Sequence, residues 1–382
     1  MTVINFLPKQ YQQDNKLNIN HNYLSQQFSD CDVILQKIKN VVMGNDFTLG
    51  KAVDEFEEKF KIIINARHAI GVGSGTDALF LSLKALEIKE GDEIITTPFT
   101  FYATIGAIVT AGAKPVFADI LDDYNINPAE IESKITARTK AIIPVHWAGK
   151  PCHMDEINLI AKKYNLFVVE DACHAIQATY KNKFAGTLGD IGCFSFHPLK
   201  NLNVWGDGGI ITTHSDEIAN QLQLIRNHGL KGRDECVLFS YNSRLDTIQA
   251  VVADHVLSTK LNYITESRIR NANYLDHGLK TIPEIIIPTR ENDIKQVYHL
   301  YSVRCENRDE LKNYLIENGV DAKIHYPIPM HLQPAAKAYG YKQGDFPKTE
   351  KICSQTLSLP VHEFISQDDL DYMIDLIKEF YA

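Results

Sequence analysis

From about residue 68 onward, short apolar runs alternate with longer stretches whose apolar positions recur every three or four residues. The short runs predict strands over 69–72, 93–96, 115–118, 141–145, 166–169, 193–196 and 209–212. The longer stretches predict helices over 77–86, 102–111, 127–135 and 154–164. Buried runs of this kind, separated by helices, imply a mostly parallel sheet covered on both faces. Upstream, helical periodicity over 29–43 ends at Gly44-Asn45-Asp46, and 51–60 reads as a charged amphipathic helix. The first 25 residues, rich in Gln, Asn and Lys, read as an arm or loop. Beyond about residue 250 the rhythm changes. A long helical stretch over 247–276 is followed by a strand at 301–304 and a helix at 310–318. A Pro-containing loop over 325–334 and a C-terminal helix over 368–381 complete the chain. This pattern predicts a large α/β domain, with its N-terminal arm, over 1–250 and a smaller α+β domain over 251–382.

Composition narrows the functional classes. A net charge of −9 argues against a general nucleic-acid binder, which would present a basic face. No run approaches the ~20 apolar residues of a membrane-spanning helix, and the N-terminus lacks the apolar core of a signal peptide. The seven cysteines are scattered without C-x-x-C pairs or zinc spacing, as expected for reduced thiols in the cytoplasm.

Four segments carry candidate chemistry. In Ser195-Phe196-His197-Pro198-Leu199-Lys200-Asn201, followed by Gly206-Asp207-Gly208-Gly209, a lysine stands in a loop between two apolar strands. A desolvated lysine amine loses its proton readily and attacks an aldehyde, which makes it the natural Schiff-base residue; the alternative is a solvated loop lysine. In Val168-Val169-Glu170-Asp171, a carboxylate ends a buried strand, at the edge where open α/β sheets bind ligands. Asp171 there suits a protonated pyridine nitrogen or, more simply, a helix N-cap. Gly71-Val72-Gly73-Ser74-Gly75-Thr76-Asp77-Ala78-Leu79 joins a strand to a helix and suits a phosphate or merely a turn. It is no dinucleotide fingerprint, because Thr76 stands where the third glycine would be. Finally, the aromatics of Pro98-Phe99-Thr100-Phe101-Tyr102-Ala103-Thr104 suit a flat cofactor or the core.

In order, G-S-G-T-D-A-L, P-F-T-F-Y-A-T, V-E-D-A-C-H-A, S-F-H-P-L-K-N-L with G-D-G-G, and Y-N-S-R-L-D-T-I-Q-A make the chain resemble the DegT/DnrJ/EryC1/StrS sugar aminotransferases from about Asn45 to the C-terminus. The resemblance implies an aspartate-aminotransferase-like, fold-type I α/β enzyme dependent on pyridoxal 5'-phosphate (PLP), with pyridoxamine phosphate as its intermediate form. It implies Lys200 as the Schiff-base lysine and Asp171 as the partner of the pyridine nitrogen. His174 matches the position near the ring hydroxyl, and Phe101 the aromatic stacked on the ring. Gly75, Thr76 and Ser195 match phosphate contacts. Asn242 matches an asparagine that reaches the neighbouring subunit's cofactor, which implies a homodimer with shared active sites. His325, Tyr326 and His331 fall in a stretch resembling the substrate-side loop.

The implied reaction moves an amino group from an amino acid, glutamate by resemblance, to a nucleotide-linked keto-sugar, with no nucleic-acid, membrane or metal partner. Related dehydratases carry His where Lys200 stands, so intact Lys200 favours transamination. Intact Lys200, Asp171 and Ser195 argue against a non-catalytic, regulatory member. Asp207, where many members acting at carbon 4 have Glu, leans toward a 3-keto-6-deoxy sugar over a 4-keto-sugar. Trp205 either shapes the sugar pocket or packs the loop. Arg226, Lys231 and Arg233 either meet a diphosphate or belong to a solvated loop.

Overall fold

The computed structural model describes residues 16–382. Most of the arm expected over the first 25 residues therefore lies outside the described residues. The central sheet contains β1 (His68–Val72), β2 (Glu93–Thr96), β3 (Lys114–Phe117), β4 (Thr139–Ile142), β5 (Phe167–Asp171), β6 (Ile191–Ser195) and β7 (Gly209–Thr213). Their spatial order is β1-β7-β6-β5-β4-β2-β3. Only β7 runs against the others, pairing antiparallel with both β1 and β6. The expected mostly parallel sheet is thus present, with one reversed strand.

Helices cover both faces. On one, α1 (Cys31–Gly44) and α2 (Lys51–Ile64) pack beside the later helix α7 (Thr247–Thr259). In α2 the buried positions Val53, Phe56, Phe60 and Ile64 form one stripe, and the helix stops at Asn65, whose φ is 57°. Phe60 meets Phe194 of β6 with ring centroids 5.2 Å apart, and Phe56 meets Phe196 at 5.4 Å. Each such fully buried aromatic contributes ~1.5–3 kcal/mol of hydrophobic stabilisation. On the other face lie α3 (Gly75–Ala85), α4 (Tyr102–Thr110) and α6 (Asp216–Ile225), while α5 (Met154–Tyr164) covers the β4–β5 side. α6 has no counterpart in the sequence expectations, although Ser215 caps it by accepting from the Ile218 N–H.

The stretch expected as one helix over 247–276 is two, α7 and α8 (Leu261–Leu279), divided at Lys260. The expected helix over 127–135 is a single α-turn, Pro128–Ile131, followed by a 3-10 turn. α7 contributes Ala250, Val252, Ala253 and Val256 to the core built on Phe56 and Phe194. From Ala272 onward, α8 packs with a second core. This packing argues for moving the division expected at residue 250 into α8. The second core joins an antiparallel sheet of β8 (Ile285–Ile286), β9 (Tyr301–Cys305) and β10 (Thr356–Leu359) to α9 (Arg308–Glu317) and the C-terminal α11 (Gln367–Tyr381). The helix α10 (Pro347–Gln355) precedes β10. Ile19, from the N-terminal segment, completes this core.

The end of β5 is held by a buried polar knot. Glu170 Oε1 accepts from the Leu188 and Gly189 N–H groups, each at 2.7 Å. Its Oε2 accepts from the Gly186 N–H at 2.7 Å and pairs with His146 Nε2 at 2.8 Å. The Cys152 N–H donates to His146 Nδ1, which leaves Nε2 as the ring's donor to Glu170. A carboxylate this well satisfied is a local rivet. It fixes the strand end on which the neighbouring Asp171 stands.

Candidate active site

The carboxyl ends of β1, β5 and β6 meet around one cavity of about 350 Å³. This is the edge at which open α/β sheets take their ligands. Gly75, Thr76, Phe101, Asp171, His174, Ser195, Lys200, His325 and Tyr326 all line it, so most of the residues singled out in the sequence converge here.

Lys200 sits in a tight turn, its N–H donating to the His197 carbonyl at 2.8 Å. Desolvation in the cavity lowers its pKa to about 8, against smaller opposing effects from Cys173 and Asp171. Asp171, 6% exposed, faces the same cavity. Its Oδ2 accepts from the Thr104 hydroxyl at 2.8 Å, and its Oδ1 from the Cys173 N–H at 3.2 Å. Thr104 is in turn linked to Thr100 by a 2.7 Å hydroxyl contact. The carboxylate is thereby clamped on both oxygens.

At the first turn of α3, Ser74 caps the helix by accepting from the Asp77 N–H at 3.0 Å. The Gly75 and Thr76 N–H groups have no acceptor among the described residues, which leaves two donors at a helix N-terminus. A side chain at Gly75 would bring its Cβ within 2.6 Å of Ser195 Cβ, so the turn lies directly against the end of β6. The glycine of β7 serves a similar approach, since a Cβ on Gly209 would come 2.4 Å from the Ser74 carbonyl oxygen. That glycine admits neighbouring backbone.

The mouth of the cavity is aromatic. Phe101 is 48% exposed and lies 5.9 Å from the Tyr326 ring, which also contacts Trp147 at 5.4 Å. On the inner wall, His174 and His299 face each other at 4.3 Å. Burial pushes both well below the ordinary histidine range, with Lys200 acting in the same direction, so both are neutral. His325 falls to about 3 for the same main reason, and its Nδ1 lies 3.0 Å from the Ser358 hydroxyl. His174 Nδ1 is buried and has no partner among the described residues.

These features fit PLP. A deprotonatable lysine and a fixed carboxylate share one cavity, two backbone donors await an anion, and an orphaned imidazole nitrogen awaits a polar group.

Some expectations move. His331 does not line the cavity; it is buried against Phe346, with Nε2 3.0 Å from Glu350 Oε1, because its loop turns back under Pro98. Asn242 is exposed, bridged to Asn227 and outside this cavity. Arg226 is buried, donating to the Gly71 carbonyl at 2.9 Å and pairing with Glu57, so it is unavailable to a diphosphate. Lys231 and Arg233 are exposed. Trp205 packs on Phe28, and its backbone pairs with the Gln249 side chain, so it braces the loop. Thr100, Thr104 and His299 went unrecognised in the sequence. The two threonines stand in the segment read for its aromatics, and nothing near His299 marked it.

A model of the DegT/DnrJ/EryC1/StrS aminotransferase family matches residues 30–378. A dTDP-3-amino-3,6-dideoxy-alpha-D-galactopyranose transaminase from Aneurinibacillus thermoaerophilus is 42% identical, covering 91% of this chain and 95% of its own. A protein named as a pleiotropic regulatory protein, from Geobacillus stearothermophilus, is 40% identical over 94% of this chain and 97% of its own. Among solved structures, DesV of S. venezuelae superposes with a TM-score of 0.92 at 34% identity, covering 95% of this chain and 98% of its own.

Proposed function

The chain belongs to the DegT/DnrJ/EryC1/StrS aminotransferase family, is a sugar aminotransferase and uses PLP, and from that premise we propose that it aminates a nucleotide-linked 3-keto-6-deoxy sugar with L-glutamate as donor. The observation that carries the chemistry is the pairing, in one cavity, of Lys200 with its lowered pKa and the doubly clamped Asp171. Carbon 3 is supported by Asp207, which lines the cavity, and by the carbon-3 product named for the relative from Aneurinibacillus thermoaerophilus.

When bound, PLP supplies an aldehyde that takes the amino group and a ring that accepts the electron pair left by a departing proton. Lys200 Nζ would be the covalent anchor and, when free, the base that takes the proton from the donor's α-carbon. Asp171 would hold a proton on the pyridine nitrogen. Ser195 and the Gly75 and Thr76 N–H groups would receive the phosphate, and Phe101 would pack on the ring. His174 Nδ1 would serve the ring hydroxyl. His325 and Tyr326 stand on the sugar side. In the proposed homodimer, the exposed Asn242 reaches the partner's cofactor. Its loop also carries Phe239, which is wholly exposed in the isolated chain.

Assays of dTDP- and UDP-linked 3-keto and 4-keto sugars with glutamate test the substrate. The expected result is a kcat/KM about 100-fold higher for a 3-keto acceptor. A preference for the 4-keto series would transfer the assignment to carbon 4.

The lowered pKa of Lys200 makes a separate prediction. Only the neutral amine attacks an aldehyde, and a lysine is neutral above its pKa. With that pKa near 8, about a tenth of the protein is competent at pH 7 and about half at pH 8. PLP capture by the apoprotein, followed by visible absorption, should therefore accelerate about fivefold from pH 7 to 8 and level off above pH 9. A rate still climbing steeply between pH 9 and 10 would mean an ordinary, solvated lysine.

A further inference from the structure

Behind the cofactor cavity lies a second chamber, of about 290 Å³. The two share Leu199, His299, Leu300 and His325 as walls, and Leu199 directly precedes Lys200 in the chain. The far side is formed by the N-terminal segment around Tyr23, whose hydroxyl lies 3.4 Å from the Leu199 and Lys200 carbonyls.

The chamber's lining carries cations only, each with an acid partner outside it. Among the described residues, no carboxylate lines it, whereas Arg268 and Lys323 both do. Arg268 is 2% exposed; its Nη1 donates to the Tyr298 and His299 carbonyls at 3.2 and 3.3 Å. Its Nε stands a loose 3.6 Å from Glu363 Oε2, and its Nη2 has no partner among the described residues. Lys323, 45% exposed, pairs at 3.0 Å with Asp321, which lies outside the lining. The lining histidines His21, His325 and His362 are held neutral, each chiefly by burial. They offer ring nitrogens without adding charge. A small chamber with two cations, imidazoles and no carboxylate suits an anion.

Its position selects among anions. The cofactor's phosphate would have its own donors at the start of α3, which lines the first cavity and not the chamber. A nucleotide-linked sugar needs the open aromatic mouth at Phe101 and Tyr326. What remains is a small anion attached to a carbon that must reach Lys200. We propose that this chamber is the carboxylate-binding subsite of the amino-acid donor, with Lys323 as its exchangeable cation and Arg268 as its fixed wall. The proposal rests on the aminotransferase reading and specifies how two unlike substrates use one reacting centre. The donor's acid group points inward, and the sugar enters from the mouth.

The test uses the full-length, PLP-loaded protein and its Lys323→Ala variant. Lys323 is exposed enough that its replacement leaves packing undisturbed. Glutarate, which is glutamate without its amine, is titrated by calorimetry, so binding is read independently of turnover. Glutamate is then mixed at a range of concentrations, and the visible absorption change is followed through a single half-reaction. The expected result is about a tenfold rise in the glutarate Kd and in the glutamate concentration giving half-maximal rate. Lys323→Arg should recover affinity to within about threefold of wild type. Unchanged glutarate binding in Lys323→Ala overturns the proposal. So does an effect confined to a keto-sugar acceptor that itself bears a carboxylate. Failure of the aminotransferase reading shows separately, as a wild-type protein that gains no visible absorption with PLP, and it removes the donor assignment as well.

Discussion

Replacing Lys200 with alanine should lower turnover by at least about 10³-fold while leaving the fold intact. In the proposed roles two functions vanish together, because the same Nζ would anchor the cofactor and move the substrate proton. Neither neighbour can inherit both. His174 and His299 are neutral imidazoles pushed far below the usual range, hence weak bases, and an imidazole does not replace the amine as the covalent anchor. The fold should tolerate the change for a physical reason. The lysine pKa is lowered in the folded state, so below about pH 8 folding confines an ammonium to a site that disfavours it. Alanine removes that burden, and thermal stability at neutral pH should hold or rise. The measurements are kcat in the coupled reaction, visible absorption after PLP is added, and a melting curve. A variant keeping more than a tenth of wild-type turnover, or still acquiring the wild-type spectrum, would take Lys200 out of both roles.

How the chain reveals this site differs from segment to segment. Asp171 was legible because the strand Phe167–Asp171 passes from apolar residues to two charged ones, Glu170 and Asp171, and a charge at that end lies at the ligand edge of a parallel sheet. Lys200 was legible from the strands and glycines around it. α6 was missed although Ser215 and the acids Asp216 and Glu217 mark a helix start, because the polar Asn220, Gln221 and Gln223 thin its apolar stripe. β10 was missed because its Thr356 and Ser358 look polar; in the fold they are buried, with Ser358 meeting the Ser302 hydroxyl at 2.9 Å. The deeper limit concerns pairs. Thr104 reaches Asp171 across 67 residues of chain, and His299 meets His174 only because the second core closes onto the first. A local pattern identifies residues that could do chemistry, whereas the partners that orient them are fixed by topology. His331 shows the converse: it shares a short loop with His325 and Tyr326, yet one 3-10 turn at Met330–Leu332 directs it into packing with Phe346.

Asp171→Asn changes one atom of a clamped side chain and should still lower kcat by about 10²–10³-fold. The two donors that hold the wild-type carboxylate, the Thr104 hydroxyl and the Cys173 N–H, stand 2.8 and 3.2 Å from its oxygens. The amide retains one acceptor oxygen, so the backbone and the strand end should keep their positions. What is lost is the negative charge. A pyridine nitrogen keeps its proton beside an anion and gives it up beside a neutral amide, and an unprotonated ring is a poorer sink for the electron pair released when Lys200 takes the substrate proton. The loss should therefore fall on the proton-transfer step. The single-turnover rate with glutamate should drop as far as kcat, while PLP affinity falls less. Asp171→Glu separates charge from position. Its longer arm keeps the charge but cannot keep both clamping contacts, so it should recover part of the rate. An Asp171→Asn enzyme within fivefold of wild type would show that the carboxylate only caps the turn at Cys173, and the electron-sink role would then have to rest on another group.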